Sequence, residues 1–225
     1  MKIAVDGPSA SGKSTVAKLL SQRLGIPYLE TGLLYRLFGY IAFKEKVKPE
    51  KSLKLFEEDF RVVFDVGKTE VYWKGKKLAE ELKGEEVGKY ASLLGEIPAF
   101  RERMIEFFRR LVGDSQVVAE GRDVGTHIFP EAPLKFFITA SAEERARRRY
   151  LELKSKGLEV SYEEILRAIQ ERDLRDARRP VYPFKPAEDA LIIDTTNKTV
   201  EETLELILSI VKERGGGSKN PSRWL

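Results

Sequence analysis

The sequence contains no cysteine, which excludes disulfides, thiolate zinc sites and a cysteine nucleophile. Its only histidine is His127; one imidazole without partners builds neither a hydrolytic triad nor a histidine metal cluster, so His127 reads as structural or incidental. No apolar run approaches the ~18 residues that would cross a bilayer. The opening MKIAVDGPSASGK turns to glycine and charge too early for the apolar region of a signal peptide. These absences give the expectation of a cytoplasmic protein without a membrane partner. Cys and Met together supply two residues, Asn two and Gln three, while Lys and Glu are abundant, the direction seen in proteins from hot environments.

What is present suits a globular enzyme. Of the 225 residues, 42% are hydrophobic and 34% charged, enough for a packed core under a polar surface in one domain or one domain with an insertion. Lys and Arg number 40 against 36 Asp and Glu, a net +4. That balance fits a nucleic-acid surface or a pocket of arginines for a phosphorylated small molecule, and composition alone does not choose.

Lys2-Ile3-Ala4-Val5 is an apolar run of strand length, followed by a glycine- and serine-rich loop and then by Val16, Leu19, Leu20 and Leu24 at helical spacing, with Gly25 as C-terminal cap. Further short apolar runs stand at Tyr28-Leu29, at 116–119, at 134–138 and at 190–193, interleaved with helical periodicity over 98–112, 141–156, 161–177 and 199–213. This alternation predicts an α/β fold, a parallel sheet with helices on both faces. Residues 61–78 instead alternate apolar and polar in two stretches, with Gly67-Lys68 and Lys74-Gly75 as turns. They predict a small antiparallel insertion over 61–84, too short to fold alone and leaning on the main domain as a movable flap. The core is then 1–60 and 85–213, and the aperiodic 214–225 reads as a flexible tail.

Gly7-Pro8-Ser9-Ala10-Ser11-Gly12-Lys13-Ser14 matches GxxxxGK[ST], with Thr15 following. Glycines let backbone N–H groups converge on phosphate oxygens, the helix presents its positive end, Lys13 supplies a point charge and Ser14 offers a hydroxyl to Mg²⁺. The strand before and the helix after give the motif the context it requires, which makes ATP-type nucleotide and Mg²⁺ the expected cofactors. Asn197-Lys198-Thr199-Val200 lacks the aspartate of a guanine-reading NKxD element, and the chain is short for a remodelling ATPase. A small-molecule kinase remains. Gly121-Arg122-Asp123 follows the strand at 116–119, and strand carboxyl ends face the ligand crevice of an open parallel sheet. Arg172, Asp176 and Arg179 share one helix face at i, i+4 and i+7, a spacing that equally suits a solvated, salt-bridged face.

The succession IAVDGPSASGKSTVAKLL, YLETGLLYR, ASLLGEIPAFRERM, VVAEGRDVGTHIFPEAPLKFFITASAEERARRR, ERDLRDARRP and DALIIDTT resembles the bacterial cytidylate kinase family of P-loop nucleoside monophosphate kinases, from Met1 to about residue 213. The resemblance implies a five-stranded parallel core, a nucleotide-binding insertion, a short lid over about 150–165, and phosphoryl transfer from ATP to CMP or dCMP. It places Thr31, Arg36, Ser92, Arg101, Arg122, Asp123, Arg172, Asp176 and Arg179 around the acceptor, with Arg36 and Arg122 on its phosphate. The residues Gly7 to Thr15 face the donor, and Lys13, Arg122 and Arg172 carry charge stabilisation. The family often has aspartate where this chain has Glu30, and many members have glycine where it has Ser14.

Cytosine offers a donor at N4 and acceptors at N3 and O2, a pattern that a carboxylate and an arginine read together. Asp123 and Arg101 supply that pair, and uracil reverses it. Arg145, Arg147, Arg148 and Arg149 crowd one helix in different directions, so only some reach phosphate. Trp73 and Tyr72 are expected to pack the insertion, and Phe107 and Phe108 to lie on a helix's buried side. The competing readings are a kinase for UMP or shikimate and a nucleic-acid-binding module. The favoured reading has no nucleic-acid polymer partner and is monomeric, because two substrates and two moving flaps leave little free surface.

Overall fold

The computed structural model describes residues 1–179 and 181–215. In chain order it contains β1 (Lys2–Asp6), α1 (Lys13–Leu24), β2 (Tyr28–Glu30), α2 (Thr31–Lys44), β3 (Phe60–Asp65), β4 (Lys68–Trp73), β5 (Lys76–Leu78), α3 (Glu85–Glu96), α4 (Pro98–Val112), β6 (Val117–Gly121), β7 (Leu134–Thr139), α5 (Ala142–Ser155), α6 (Tyr162–Ala177), β8 (Leu191–Asp194) and α7 (Val200–Gly215). The core sheet has the order β2-β6-β1-β7-β8, parallel at every pairing. Parallel strands buried on both faces carry continuous apolar runs, and β1 shows the consequence. Ile3 and Val5 face α1 and α7 with Val16, Leu20, Leu204 and Ile207, while Ala4 faces α2 and α4 with Leu34, Phe38, Met104 and Phe108. The chain leaves β1 between β6 and β7, so β1 ends in the crevice where strand order reverses.

The second sheet, β3-β4-β5, is antiparallel. It has three strands where the apolar alternation suggested two stretches, because Lys74-Gly75 turns β4 back onto the short β5. The sheet does not stand alone. Phe60 meets Phe38 at 5.0 Å and Phe107 at 5.6 Å between ring centroids, and Phe100 joins the group through Phe38 and Phe56. Aromatic pairs of this kind add about 0.5–1.5 kcal/mol beyond the area they bury. The hairpin between β3 and β4 is also pinned to the core: Thr69 Oγ1 donates to the Tyr28 carbonyl at 2.8 Å and accepts from the Glu30 N–H at 2.9 Å, and the Gly67 N–H donates to Ser21 Oγ at 2.9 Å.

Neither α2 nor α3 has a clear helical stripe in the sequence. Most of α2 is apolar and buried on more than one side, and the glycines of α3 blur its periodicity. One glycine explains how the two meet: a Cβ on Gly39 would stand 2.7 Å from the Val87 carbonyl and the Ala91 nitrogen. Trp73 packs edge-on against Tyr40 with Nε1 donating to Glu58. Phe108 is buried and Phe107 half-buried. Arg214 still belongs to α7, so the expected tail begins two residues later than 214 at the earliest, and the rest of it lies outside the described residues. No described helix is long and apolar enough to cross a membrane.

Candidate active site

The loop from Gly7 to Gly12 joins β1 to α1 within the crevice. It must pass close to β7: a Cβ at Gly7 would fall 2.1 Å from the Ile138 carbonyl oxygen, so no other residue fits. Gly12 stands at the N-terminal cap of α1 and offers no side chain to it, which leaves the first-turn N–H groups free to meet an anion. Pro8 is buried, Ser9 and Ala10 are half-buried, Ala10 is left-handed at φ 59°, and Thr15 is exposed. The back of the loop is held by the helix that follows β7. Arg148 Nη1 donates to the Ser11 carbonyl at 3.2 Å, and Arg145 Nη1 reaches the Ser9 carbonyl at 3.4 Å. Arg145 is buried and also forks onto Asp173 of α6, whereas Arg147 and Arg149 are exposed and pair with glutamates of their own helix.

Glu120, at the end of β6, is buried beside this loop. Its Oε1 accepts from Ser14 Oγ at 3.1 Å, and its Oε2 is 3.7 Å from Lys13 Nζ with no hydrogen bond of its own among the described residues. A buried carboxylate oxygen left in that condition costs free energy until a cation reaches it. Ser14 and Glu120 therefore form a hard oxygen donor set that fits Mg²⁺. Glu30 is the β2 partner of Glu120 in register, and burial together with the Glu120 charge pushes its carboxyl up to about 7. Asp6, at the end of β1, accepts the Val124 N–H at 2.9 Å and the Gly125 N–H at 2.7 Å; burial outweighs those bonds and pushes it to about 7. This pair of bonds fixes the wide helical turn Val124–Ile128 against β1, and with it the Arg122-Asp123 dipeptide.

Just beyond Glu120 in the chain, Arg122 belongs to a concentration of guanidinium groups. Asp176 of α6 is 3% exposed and is contacted by Arg122, by Arg179 at 2.5 Å and by Arg172 at 3.9 Å. Three cations share one carboxylate. The cluster therefore holds more positive charge than Asp176 neutralises; burial first, and then Arg172 and Arg179 nearby, pushes the Arg122 guanidinium down to about 9. An anionic group entering there relieves it. Arg36 is spent in part on the Leu82 carbonyl at 2.8 Å, and Thr31 donates to the Glu120 carbonyl at 2.8 Å.

Arg101 and Asp123 are both buried and pair directly with each other; Arg101 Nη1 also donates to the Gly95 carbonyl at 3.0 Å. Ser92 differs from the rest: it is exposed on α3 and makes no side-chain hydrogen bond among the described residues. The structure thus brings together Arg101 with Asp123, and Arg122 with Arg172, Asp176 and Arg179, but leaves Ser92 outside those contacts. Residues that sequence reasoning did not single out are Asp6 and Glu120 as supports, and Tyr182 beside Arg101; of the four helix arginines expected to point in different directions, Arg145 and Arg148 reach the glycine loop. The only advance signal for Asp6 and Glu120 was an acidic residue at the carboxyl end of an apolar strand. His127 packs its ring on Tyr182 at 4.7 Å, and its Nδ1 lies 2.8 Å from Thr126 Oγ1.

The sequence profile of the family described as "Cytidylate kinase" matches residues 3–213. A cytidylate kinase of Aquifex aeolicus (strain VF5) is 62% identical over 215 residues, covering 95% of this chain and 97% of that protein. One from Fervidobacterium nodosum (strain ATCC 35602 / DSM 5306 / Rt17-B1) is 48% identical over 214 residues with the same shares covered. Among solved structures, an uncharacterized protein from Eubacterium ventriosum ATCC 27560 superposes with a TM-score of 0.52 at 15% identity, covering 94% of this chain and 98% of that one, a likeness of fold alone. Glycine loop, arginine cluster and sequence similarity converge, and the chain belongs to the cytidylate kinase family.

Proposed function

We propose that the chain transfers the γ-phosphoryl group of ATP to CMP or dCMP, with the donor on the glycine loop and the acceptor's phosphate among Arg36, Arg122, Arg172 and Arg179. The observation that carries this division is the buried Asp176 of α6 with its surplus of guanidinium charge; one of those guanidiniums, Arg122, follows β6 just after Glu120, the carboxylate that touches Lys13 and Ser14.

An oxygen of the acceptor phosphate attacks the γ-phosphorus in line, the new O–P bond forms as the bond to the β-phosphate oxygen breaks, and CDP or dCDP leaves with ADP. No protein nucleophile is needed; positioning and charge stabilisation carry the reaction. Lys13 neutralises the outer phosphates, and the first-turn amides of α1 receive them. Arg122 and Arg172 bridge toward the transferred group. Ser14 and Glu120 would hold Mg²⁺, which would supply further charge neutralisation on the phosphate oxygens. Thr31, close to the Glu120 backbone, and exposed Ser92 line the acceptor's side, the latter meeting it only when the α3 side of the cleft approaches. The hairpin of α5 and α6 links both ends of the site, since Arg145 joins the glycine loop to Asp173, three residues before Asp176. Its turn at 156–161 is the natural centre of a lid over about 150–165.

Base choice rests on Asp123 facing N4 and Arg101 facing N3 and O2. In the free protein each satisfies the other, so a base must exchange for that pairing, and uracil would oppose its O4 to a carboxylate. The mismatch costs about 1–3 kcal/mol. Asp176 accepts from ribose hydroxyls, and the 3′-hydroxyl suffices for dCMP. The test is ADP formation with CMP, dCMP, UMP, AMP and shikimate as acceptors. Turnover with CMP and dCMP well above the other three is expected; equal turnover with UMP or shikimate would overturn the assignment.

A further inference from the structure

We infer that Tyr182 is a positioning residue for recognition of the acceptor base, its ring holding the Arg101 guanidinium in register with Asp123. The inference rests on the reading of Arg101 and Asp123 as the groups that face the base. Tyr182 lies in the segment that follows α6, and its backbone is left-handed at φ 58°, a conformation that costs a bulky residue free energy and persists only where its surroundings enforce it. Two contacts do so. The ring centroid is 5.4 Å from Arg101 Cζ, within cation–π range, and the His127 ring meets it edge-on at 4.7 Å and 84°. Arg101 also lies 6.0 Å from the ring of Tyr35, so two aromatic rings reach one buried guanidinium.

The need for such support follows from the partners of Arg101. Its Nε has no hydrogen bond among the described residues, one Nη is fixed to the Gly95 carbonyl and the other to Asp123. When a base takes over Asp123, the guanidinium loses its strongest neighbour at the moment when its placement decides which base is accepted. An aromatic face keeps its attraction throughout, because it uses none of the five N–H donors. Tyr182 also forms a wall. Beyond it lies a cavity of about 350 Å³ lined by Glu102, Ile105, Glu106, Arg109, His127 and Tyr182 but not by Arg101. Removing the ring opens the Arg101–Asp123 pair toward that cavity and its water, which weakens the electrostatic contrast between cytosine and uracil. Tyr182 further ties the chain leaving Arg179 to the base side of the site, coupling the phosphate and base contacts of one acceptor.

The experiment compares Tyr182→Ala, Tyr182→Leu and Tyr182→Phe with the parent chain and with Asp123→Ala. It measures kcat and KM for CMP and UMP at saturating ATP, KM for ATP, and the thermal midpoint of each protein. Tyr182→Ala is expected to raise KM for CMP about tenfold and to lower the CMP to UMP ratio in kcat/KM, with KM for ATP unchanged. Tyr182→Phe keeps the ring and should match the parent, whereas Tyr182→Leu fills the space without a π face and should resemble Tyr182→Ala. Should the alanine variant fail to fold, the leucine and phenylalanine variants carry the comparison. The inference is overturned if Tyr182→Leu performs as well as Tyr182→Phe, or if Asp123→Ala collapses the ratio while Tyr182→Ala leaves it intact. If Asp123→Ala itself leaves the ratio unchanged, the base-reading assignment falls and this inference with it.

Discussion

Glu120 and Asp176 are both buried acids, the first beside Lys13 and the second among Arg122, Arg172 and Arg179. Lys13 is the simplest probe of the first. Lys13→Ala removes a preorganised charge at the transferred group and is expected to lower kcat by about 10²- to 10³-fold, with a smaller change in KM for CMP, measured by coupled ADP release; an equal loss in both would relocate Lys13 to general binding. Glu30 gives a pH prediction. Its folded carboxyl sits at about 7 through burial and Glu120, above the usual carboxylate range, so between those values the folded chain holds a proton that the unfolded chain has released. Raising pH through that window then costs stability. The thermal midpoint of the free protein is expected to fall between pH 5 and pH 8, and Glu30→Gln, which cannot ionise, should flatten the fall. An unchanged slope in the variant would show that Glu30 is not the titrating group. Arg122 and Asp123 were legible in the sequence because they follow a strand end that must open into the crevice. Asp6 was not, because its role lies in accepting two N–H groups from residues more than a hundred positions away.

Elements were legible where one physical rule governed them. The strands of the core are short, mostly apolar runs, and α4, α5, α6 and α7 each keep a polar face, so periodicity alone located them. The helix α2 escaped because it is buried broadly against both α3 and the core, which erases its stripe, and β5 because three residues are too few to show alternation. The α2–α3 contact offers a prediction at this scale. Gly39→Ala would drive a Cβ into backbone atoms of Val87 and Ala91, which cannot yield as a side chain would. Overpacking of this kind costs about 1–3 kcal/mol, to be read as a lowered denaturation midpoint at unchanged m-value. Because the Gly95 carbonyl of α3 accepts from Arg101, the proposed acceptor site predicts that KM for CMP rises while KM for ATP does not. A variant as stable as the parent would mean that the helices separate freely. The antiparallel sheet, expected as a flap, is pinned at its hairpin by Thr69 and Gly67 and packed through Phe60, so any movement it makes carries β2 and the start of α2 with it.

Across the whole molecule, a modest net charge of +4 conceals a local concentration of arginine at the carboxyl end of one sheet. Composition left nucleic acid and small phosphorylated ligands equally open; membership of the cytidylate kinase family favours the second. Removing the acceptor's phosphate should therefore matter more than removing a ribose hydroxyl: cytidine is expected to bind about 100-fold more weakly than CMP, the equivalent of two charge-assisted contacts, and CMP affinity should fall with rising salt while that of cytidine hardly changes. Comparable titration curves for the two ligands would remove the arginine cluster from acceptor binding. The most direct measurement is a crystal structure of the chain with CMP and a non-hydrolysable ATP analogue. The expected result has the γ-phosphate at Lys13, the CMP phosphate against Arg122, Arg172 and Arg179, and the cytosine edge inserted where Arg101 now pairs with Asp123. A CMP bound elsewhere, with that pair still closed, would contradict the account.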